Sequence, residues 1–299
     1  MVKHIEYMQK NNIDILNIRD KQYPKMLKEI YDPPISLYII GNKKILNNVS
    51  IAIERCREAT EYGKKSAKYF AYNLSKNGIN IVSGLAKGID SYSHIGTFQN
   101  EGKTIAVIGN GLDMIYPSEN IWIAKKIVET GGAIISEYPL GTKPEKMNFP
   151  ARNRIISGMS KGIIVVEAKE KSGSLITAAC ALEQGKMVYA IPGAVNDALS
   201  RGCHKLIYDG AGIAYSPEIL LDEWGLSVKK KTNLSGKTKI GLATDLDLVY
   251  SCLDLRPKNL DHMIRKTGFS PGKTAGILGQ LILMGLVKET GRQYYIRLE

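Results

Sequence analysis

Short apolar runs recur along this chain, and each leads through a polar turn into a stretch with helical spacing. Residues 49–53, 79–82 and 104–108 are apolar runs of strand length, and the segments behind them, through Lys76, Gln99 and Thr130, space their apolar positions by three and four. Further strand-like runs at 133–136, 162–166 and 187–191 continue the alternation. The pattern predicts an α/β fold with a doubly wound, mostly parallel sheet covered by helices on both faces. Ligands of such sheets sit at the carboxyl ends of the strands, where the strand order switches, and every polar turn in the pattern falls at such an end.

The flanks read differently. In residues 1–45 the run DKQYPKMLKEIYDPPISLYIIGN holds a short helical stretch, broken by Pro33-Pro34 ahead of a strand-like 36–40, and is expected to pack as a lead-in on the main domain of 46–226. Residues 227–241 carry VKKKTNLSGKTKI, with five lysines and no acid, and are expected to form a flexible linker. From 242 to 299 the periodicity gives helices at 245–252, 259–267 and 273–284 and a hairpin at 286–298 around Gly291, the pattern of a winged helix. Such units bind DNA or proteins, and Lys273 is the only cation in the third helix, where recognition helices usually carry more base-reading groups.

Net charge adds a partner class. The 299 residues carry a formal +12, so a polyanion is attracted to the chain; acidic substrates and membrane surfaces fit the same balance. No run approaches the roughly 20 apolar residues of a membrane span, and the N-terminus lacks the apolar core of a signal peptide, so a cytoplasmic location is expected. Cys56, Cys180, Cys203 and Cys252 form no CxxC pair, and Cys203-His204 lacks further ligands, so the thiols read as incidental and no metal or cofactor is expected.

The residues with most chemistry lie between Ser136 and Ala179. Phe149, Arg152 and Arg154 sit in what reads as a Pro-bounded loop, before the apolar run 162–166 and the turn Lys171-Ser172-Gly173-Ser174 that opens an amphipathic helix. A helix N-terminus after a Ser/Gly turn offers free N–H groups to an anion. Two arginine forks match phosphates, and an exposed aromatic stacks on an unpaired base. Two more Gly-rich turns, Ser83-Gly84-Leu85-Ala86-Lys87-Gly88 and Gly109-Asn110-Gly111, add possible cradles, though neither has P-loop or GxGxxG spacing. Each turn alone is also explained by backbone geometry, and Arg154 by a pair with Glu137 or Glu167. Asp90 and His94 read as a structural hydrogen bond, because no nucleophile or second carboxylate accompanies them.

The runs SGLAKGIDSYSH, AVIGNGLDMIYPSEN and SEYPLGTKPEKMNFPARNRIISGMSKGIIVVEAKEKSGSLITAACALEQGKMVYAIPG, in this order over residues 23–214, resemble the bacterial DNA-processing protein A family, also called Smf. The resemblance implies an extended Rossmann-like domain that binds and protects single-stranded DNA and loads a RecA-type recombinase in natural transformation (competence) and DNA recombination. It also implies a homodimer and no established catalytic reaction. DNA contacts carried over by motif are Arg57, Ser83, Gly84, Gly109, Gly111, Lys146, Phe149, Arg152, Asn153 and Ser172-Gly173-Ser174, and Lys87 and Arg154 stand beside them as further cations. Two departures stand out: Glu54-Arg55-Cys56-Arg57 replaces the family's Val-Gly-Ser-Arg turn, predicting weaker DNA binding, and His204 stands where an Asn is usual. The rival readings are a nucleotide-processing enzyme of the phosphoribohydrolase group, whose PGGxGT-type turn is lacking at 171–175, and a protein-interaction scaffold.

Overall fold

The computed structural model describes residues 2–54, 56–170, 173–226, 244–253 and 257–298, and divides into two compact units, residues 1–229 and 230–299. The expected linker at 227–241, Arg55 and Ser172 lie outside the described residues.

In the first unit the order is α1 (Val2–Lys10), β1 (Ile13–Asn17), α2 (Lys25–Lys28), β2 (Ser36–Gly41), β3 (Ser50–Glu54), α3 (Glu61–Lys76), β4 (Asn80–Ser83), α4 (Ile89–Phe98), β5 (Thr104–Ile108), α5 (Ile121–Glu129), β6 (Ala133–Ser136), α6 (Asn148–Gly158), β7 (Gly162–Val165), α7 (Gly173–Glu183), β8 (Met187–Ala190), α8 (Arg201–Tyr208), β9 (Gly212–Ile213) and α9 (Pro217–Glu223). Among the described residues these strands form one nine-stranded sheet in the order β1-β2-β6-β5-β4-β3-β7-β8-β9. From β6 to β9 every pairing is parallel, while β1 with β2 and β2 with β6 are antiparallel. The chain steps from β3 outward to β6, then returns to lay β7 on the other side of β3. The switch in strand order therefore lies between β3 and β7, with the loops after both strands flanking it.

Strand period two sorts the apolar side chains. Ile51 and Ile53 of β3, Ile81 of β4 and Ile164 of β7 join Phe70 and Leu74 of α3 and Leu220 of α9 on one face; Ala52, Val82, Ile163 and Val165 join Ile155 and Ile156 of α6 and Ala178 of α7 on the other. With both faces covered, the central strands read as unbroken apolar runs, which is why the sequence located them within a residue or two. The lead-in does more than pack on the domain: β1 and β2 extend the sheet itself, and the Ile13↔Ile40 to Asn17↔Ser36 register is an antiparallel edge that a five-residue strand ahead of a Pro-Pro break does not announce.

One element departs from its sequence reading. The segment NFPARNR, expected as a loop, is the first two turns of α6. Pro150 falls in the first turn, where its missing N–H has no intrahelical acceptor in any case, so the proline punctuates the helix start and does not break it.

The second unit contains α10 (Thr244–Ser251), β10 (Lys258–Asn259), α11 (Leu260–Thr267), α12 (Pro271–Leu283), β11 (Val287–Gly291) and β12 (Tyr294–Arg297), with the strands ordered β10-β12-β11. Val249, Met263, Ile277, Leu278 and Leu281 form its core. Lys273 is held inside the unit: its Nζ lies 2.7 Å from Asp245 and 4.0 Å from the centroid of the Phe269 ring. A Cβ placed on Gly272, Gly276 or Gly279 of α12 would meet only open space, and Gln280 on the same helix is exposed.

Candidate functional site

Two pockets adjoin at the carboxyl ends of β3, β4 and β5, with Arg57, Tyr116 and Phe149 common to both. The first, about 230 Å³, is lined further by Gly84, Ala86, Lys87 and Pro117. The second, about 440 Å³, is lined further by Pro144, Lys146, Pro150, Asn153 and Ile176. Phe149 is half-buried in the first turn of α6, and its ring lies 6.0 Å from the Tyr116 ring, tilted by 38°, with the Arg57 guanidinium carbon 5.6 Å from its centroid. Arg57, Lys87 and Lys146 are exposed around it. An aromatic pair capped by an arginine and ringed by lysines offers stacking surface and positive charge together.

The glycines set this geometry. A Cβ on Gly109 would come within 3.3 Å of Phe149 Cδ1, so the bare backbone after β5 lets the ring seat itself. A Cβ on Gly84 would lie 2.5 Å from both Arg152 Nη1 and Asp90 Oδ2. That close approach brings the turn after β4 against α6.

Several residues expected to touch a ligand are instead committed to the fold. Arg152 is 1% exposed, and its Nη1 donates to the Gly84 carbonyl at 2.8 Å and to the Val107 carbonyl, so its fork ties α6 to the ends of β4 and β5 and presents no face to a phosphate. Arg154 donates to both carboxylate oxygens of Glu137 at 2.9 and 2.7 Å and to Asp32 at 3.0 Å. Burial opposes its charge, yet these acids outweigh burial and hold its pKa above the usual value. It lines neither pocket; the pair with Glu137 is the structural alternative open in the sequence. The Ser83 hydroxyl is buried and donates to the Ile53 carbonyl at 2.7 Å. Nor are the turns free anion cradles throughout: Gly111 N–H donates to Thr142 O, and Ala86 N–H donates to Asp90 Oδ2, so the chain's own carboxylate occupies the turn before α4. Lys87 lines the smaller pocket while paired with Glu119 at 2.7 Å.

The structural hydrogen bond expected between Asp90 and His94 is not formed, because Asp90 Oδ2 accepts from Ala86 N–H and the imidazole faces β5. His94 Nδ1 lies 2.7 Å from Thr104 Oγ1, whose hydroxyl donates to Ile81 O; the hydroxyl proton is thus used, and the imidazole must carry its proton on Nδ1. Burial first, and the Arg152 charge second, lower the His94 pKa to about 3. Burial likewise raises the thiols of Cys56 and Cys203, the latter to about 12, and among the described residues no group of three His, Cys, Asp or Glu is placed to hold a metal ion. No described helix is long and apolar enough to cross a membrane.

Glu54 ends β3 with no exposure, and Thr177 Oγ1 of α7 lies 3.4 Å from its Oε2. Glu54 lines neither pocket, so its carboxylate does not stand at a pocket wall. Gly173 opens α7, and among the described side chains of that helix Ile176 reaches the larger pocket. Tyr116, Pro117, Pro144 and Ile176 were missed by sequence reasoning; only Tyr116 had a signal, an aromatic before Pro117 in a polar turn.

The family profile described as DNA recombination-mediator protein A matches residues 14–225. The chain is 46% identical over 208 residues to DNA processing protein DprA of Streptococcus pneumoniae, covering 70% of this chain and 73% of the relative. It is 46% identical over 212 residues to the Bacillus subtilis protein of the same name, covering 71% of each. Among solved structures, DNA processing protein A of S. pneumoniae superposes with TM-score 0.68 at 44% identity over 73% of this chain and 77% of that one. DNA processing protein A of Helicobacter pylori, whose structure was described for its single-stranded DNA binding mode, superposes with TM-score 0.64 at 31% identity over 71% of this chain and 94% of that one.

Proposed function

The chain belongs to the DNA recombination-mediator protein A family, and on that premise we propose that it binds single-stranded DNA across the twin pockets, shields it, and hands it to a RecA-type recombinase during natural transformation. The observation that carries this reading is the Phe149 ring standing between two pockets, with Tyr116 beside it and the Arg57 guanidinium over it. Stacking on an aromatic is available only to unpaired bases, so a duplex gains the phosphate contacts of Arg57, Lys87 and Lys146 but not the ring. The work is binding and transfer, without a catalysed reaction, in the cytoplasm.

Arg152, Arg154 and Ser83 act in this reading as positioning residues. Arg152 holds α6, and therefore Phe149, against the strand ends. Gly84, Gly109 and Gly111 let the chain's own segments pack closely at the strand ends, and the Ser172-Gly173-Ser174 contacts of the family stay part of the proposal on the resemblance alone. A homodimer formed through the first unit would set two such sites on one strand. The second unit, read as a winged helix, serves protein contacts better than base reading, because Lys273 is engaged with Asp245 and Phe269.

Fluorescence anisotropy of labelled oligo-dT against the matching duplex, at low and moderate salt, tests the proposal. Preference for the single strand, weakened by salt and lost in Phe149→Ala, is the expected result. Equal binding of strand and duplex, unaffected by Phe149→Ala, would sink it.

A further inference from the structure

Helix α3 carries Lys64, Lys68, Tyr72 and Lys76 at intervals of four, so these side chains share one face over about 18 Å of helix. The row starts at the pocket end of the sheet and runs away from it, since α3 and α4 both begin at the carboxyl ends of the strands they follow. The two helices pack closely at Gly96, where a Cβ would lie 2.7 Å from the Lys68 carbonyl oxygen and 2.8 Å from Ala71 Cβ. One turn before Gly96, Tyr92 lies against the row: Lys64 and Lys68 Nζ stand 5.7 and 5.4 Å from its ring centroid, and Lys76 Nζ stands 5.9 Å from that of Tyr72. Tyr92 belongs to the first turn of α4, just after Lys87 of the smaller pocket, and Lys65 adds an exposed cation at the same end. Among the described residues Glu61 is the one acid paired with the row, 2.7 Å from Lys64, while Lys68 and Lys76 are paired with none. Like charges four apart on a helix repel, so the row costs the isolated chain stability that neutral side chains would not.

We propose that this row is a track for the sugar-phosphate backbone of the single strand where it leaves the smaller pocket, with Lys64, Lys68 and Lys76 each meeting phosphate. The track spans about five nucleotides at a charge spacing of about 3.4 Å along a strand. A linear row that begins near a pocket for bases fits a linear polyanion better than a flat layer of lipid headgroups. The Tyr92 and Tyr72 rings hold the ammonium groups along the row, so less side-chain freedom is lost when a strand settles on it. Bound phosphates also remove the repulsion between the lysines. Such contacts carry no sequence information, which suits a protein that handles strands of arbitrary sequence. This inference rests on the single-strand reading of the twin pockets and adds a contact outside them.

The experiment titrates the full chain with oligo-dT of about 6 and about 20 nucleotides, the shorter confined to the pockets and the longer able to reach the row, across about 50–200 mM salt. Lys68→Gln/Lys76→Gln keeps the helix propensity and removes two phosphate contacts, each worth about 0.7 in the slope of log K against log salt. The slope for the longer strand should therefore flatten by about 1.4, so that wild type loses about sevenfold more affinity than the variant across that salt range. The shorter strand should be bound alike by both, and Lys68→Arg/Lys76→Arg should keep the wild-type slope. Circular-dichroism melting of each variant establishes its fold. An unchanged slope for the longer strand would overturn the proposal, as would equal flattening for both lengths, the signature of net charge alone. A variant that keeps its DNA slope but no longer binds phosphatidylserine vesicles would overturn it too, in favour of a membrane surface. A wild-type chain that binds neither oligomer would overturn the function reading as well, so the two failures are told apart.

Discussion

Arg152 Nη1 lies 2.8 Å from the carbonyl oxygen of Gly84, and this contact joins the helix that carries Phe149 to the turn that floors the smaller pocket. Replacing Arg152 with methionine leaves the Gly84 and Val107 carbonyls without this donor inside the fold. Roughly 1–3 kcal/mol is lost for each unsatisfied buried group, so the expected cost is about 3 kcal/mol and a fall in Tm of several degrees, read by thermal denaturation. DNA affinity should fall with it, through the displaced ring. Unchanged stability with lost affinity would mean that Arg152 meets DNA directly.

Gly84→Ala should resemble that variant. Its new methyl group would lie 2.5 Å from the Arg152 and Asp90 side chains, closer than carbon tolerates, so one of the two must move. The expected loss is about 1–3 kcal/mol in Tm-derived stability. An alanine variant as stable as the wild type would show that this packing yields freely.

Phe149→Ala should weaken single-strand binding by about 1–3 kcal/mol, five- to over a hundredfold, while sparing the fold, because the ring is only half-buried. Anisotropy titration and a melting curve read the two effects separately.

Arg57→Ala and Lys146→Ala should each lower affinity for all sequences alike and flatten the slope of log K against log salt by about 0.7–1. Lys273→Ala, in the second unit, should leave that slope unchanged. A slope altered by Lys273 and not by Arg57 would move the DNA to the other unit.

His94 makes stability depend on acid. Its folded pKa of about 3 lies below the ordinary 6.5, so the unfolded chain binds the proton first as pH falls. The stabilising contribution is complete above pH 6.5 and is lost progressively toward pH 3, at up to about 1.4 kcal/mol per pH unit. A His94→Gln variant should show a shallower fall in denaturant midpoint between pH 6.5 and 4 than the wild type. Parallel slopes would place the proton uptake elsewhere.

The sequence by itself determined the alternating strands and helices of the sheet, because strands covered on both faces must be apolar throughout and the helices between them must keep one apolar stripe. It also determined the aromatic and cationic chemistry near Phe149, since Arg57, Lys146 and the Gly-rich turns stand in short motifs. Only the tertiary structure decided which of those polar groups reach solvent. Arg152 and Arg57 are chemically alike in sequence, yet one is 1% exposed and bonded to two strand-end carbonyls while the other stands over the ring. The segment around Pro150 read as a loop because proline usually stops helices, and the packing of Ile155 and Ile156 against the sheet made it the start of one. Tyr116 and Ile176, 33 residues before and 27 after Phe149, become its neighbours only when β5 and α7 are laid at the same edge. Local pattern fixes the elements of the central sheet; the start of α6 and the burial of each polar side chain depend on contacts between residues far apart in the chain, and no local pattern encodes those.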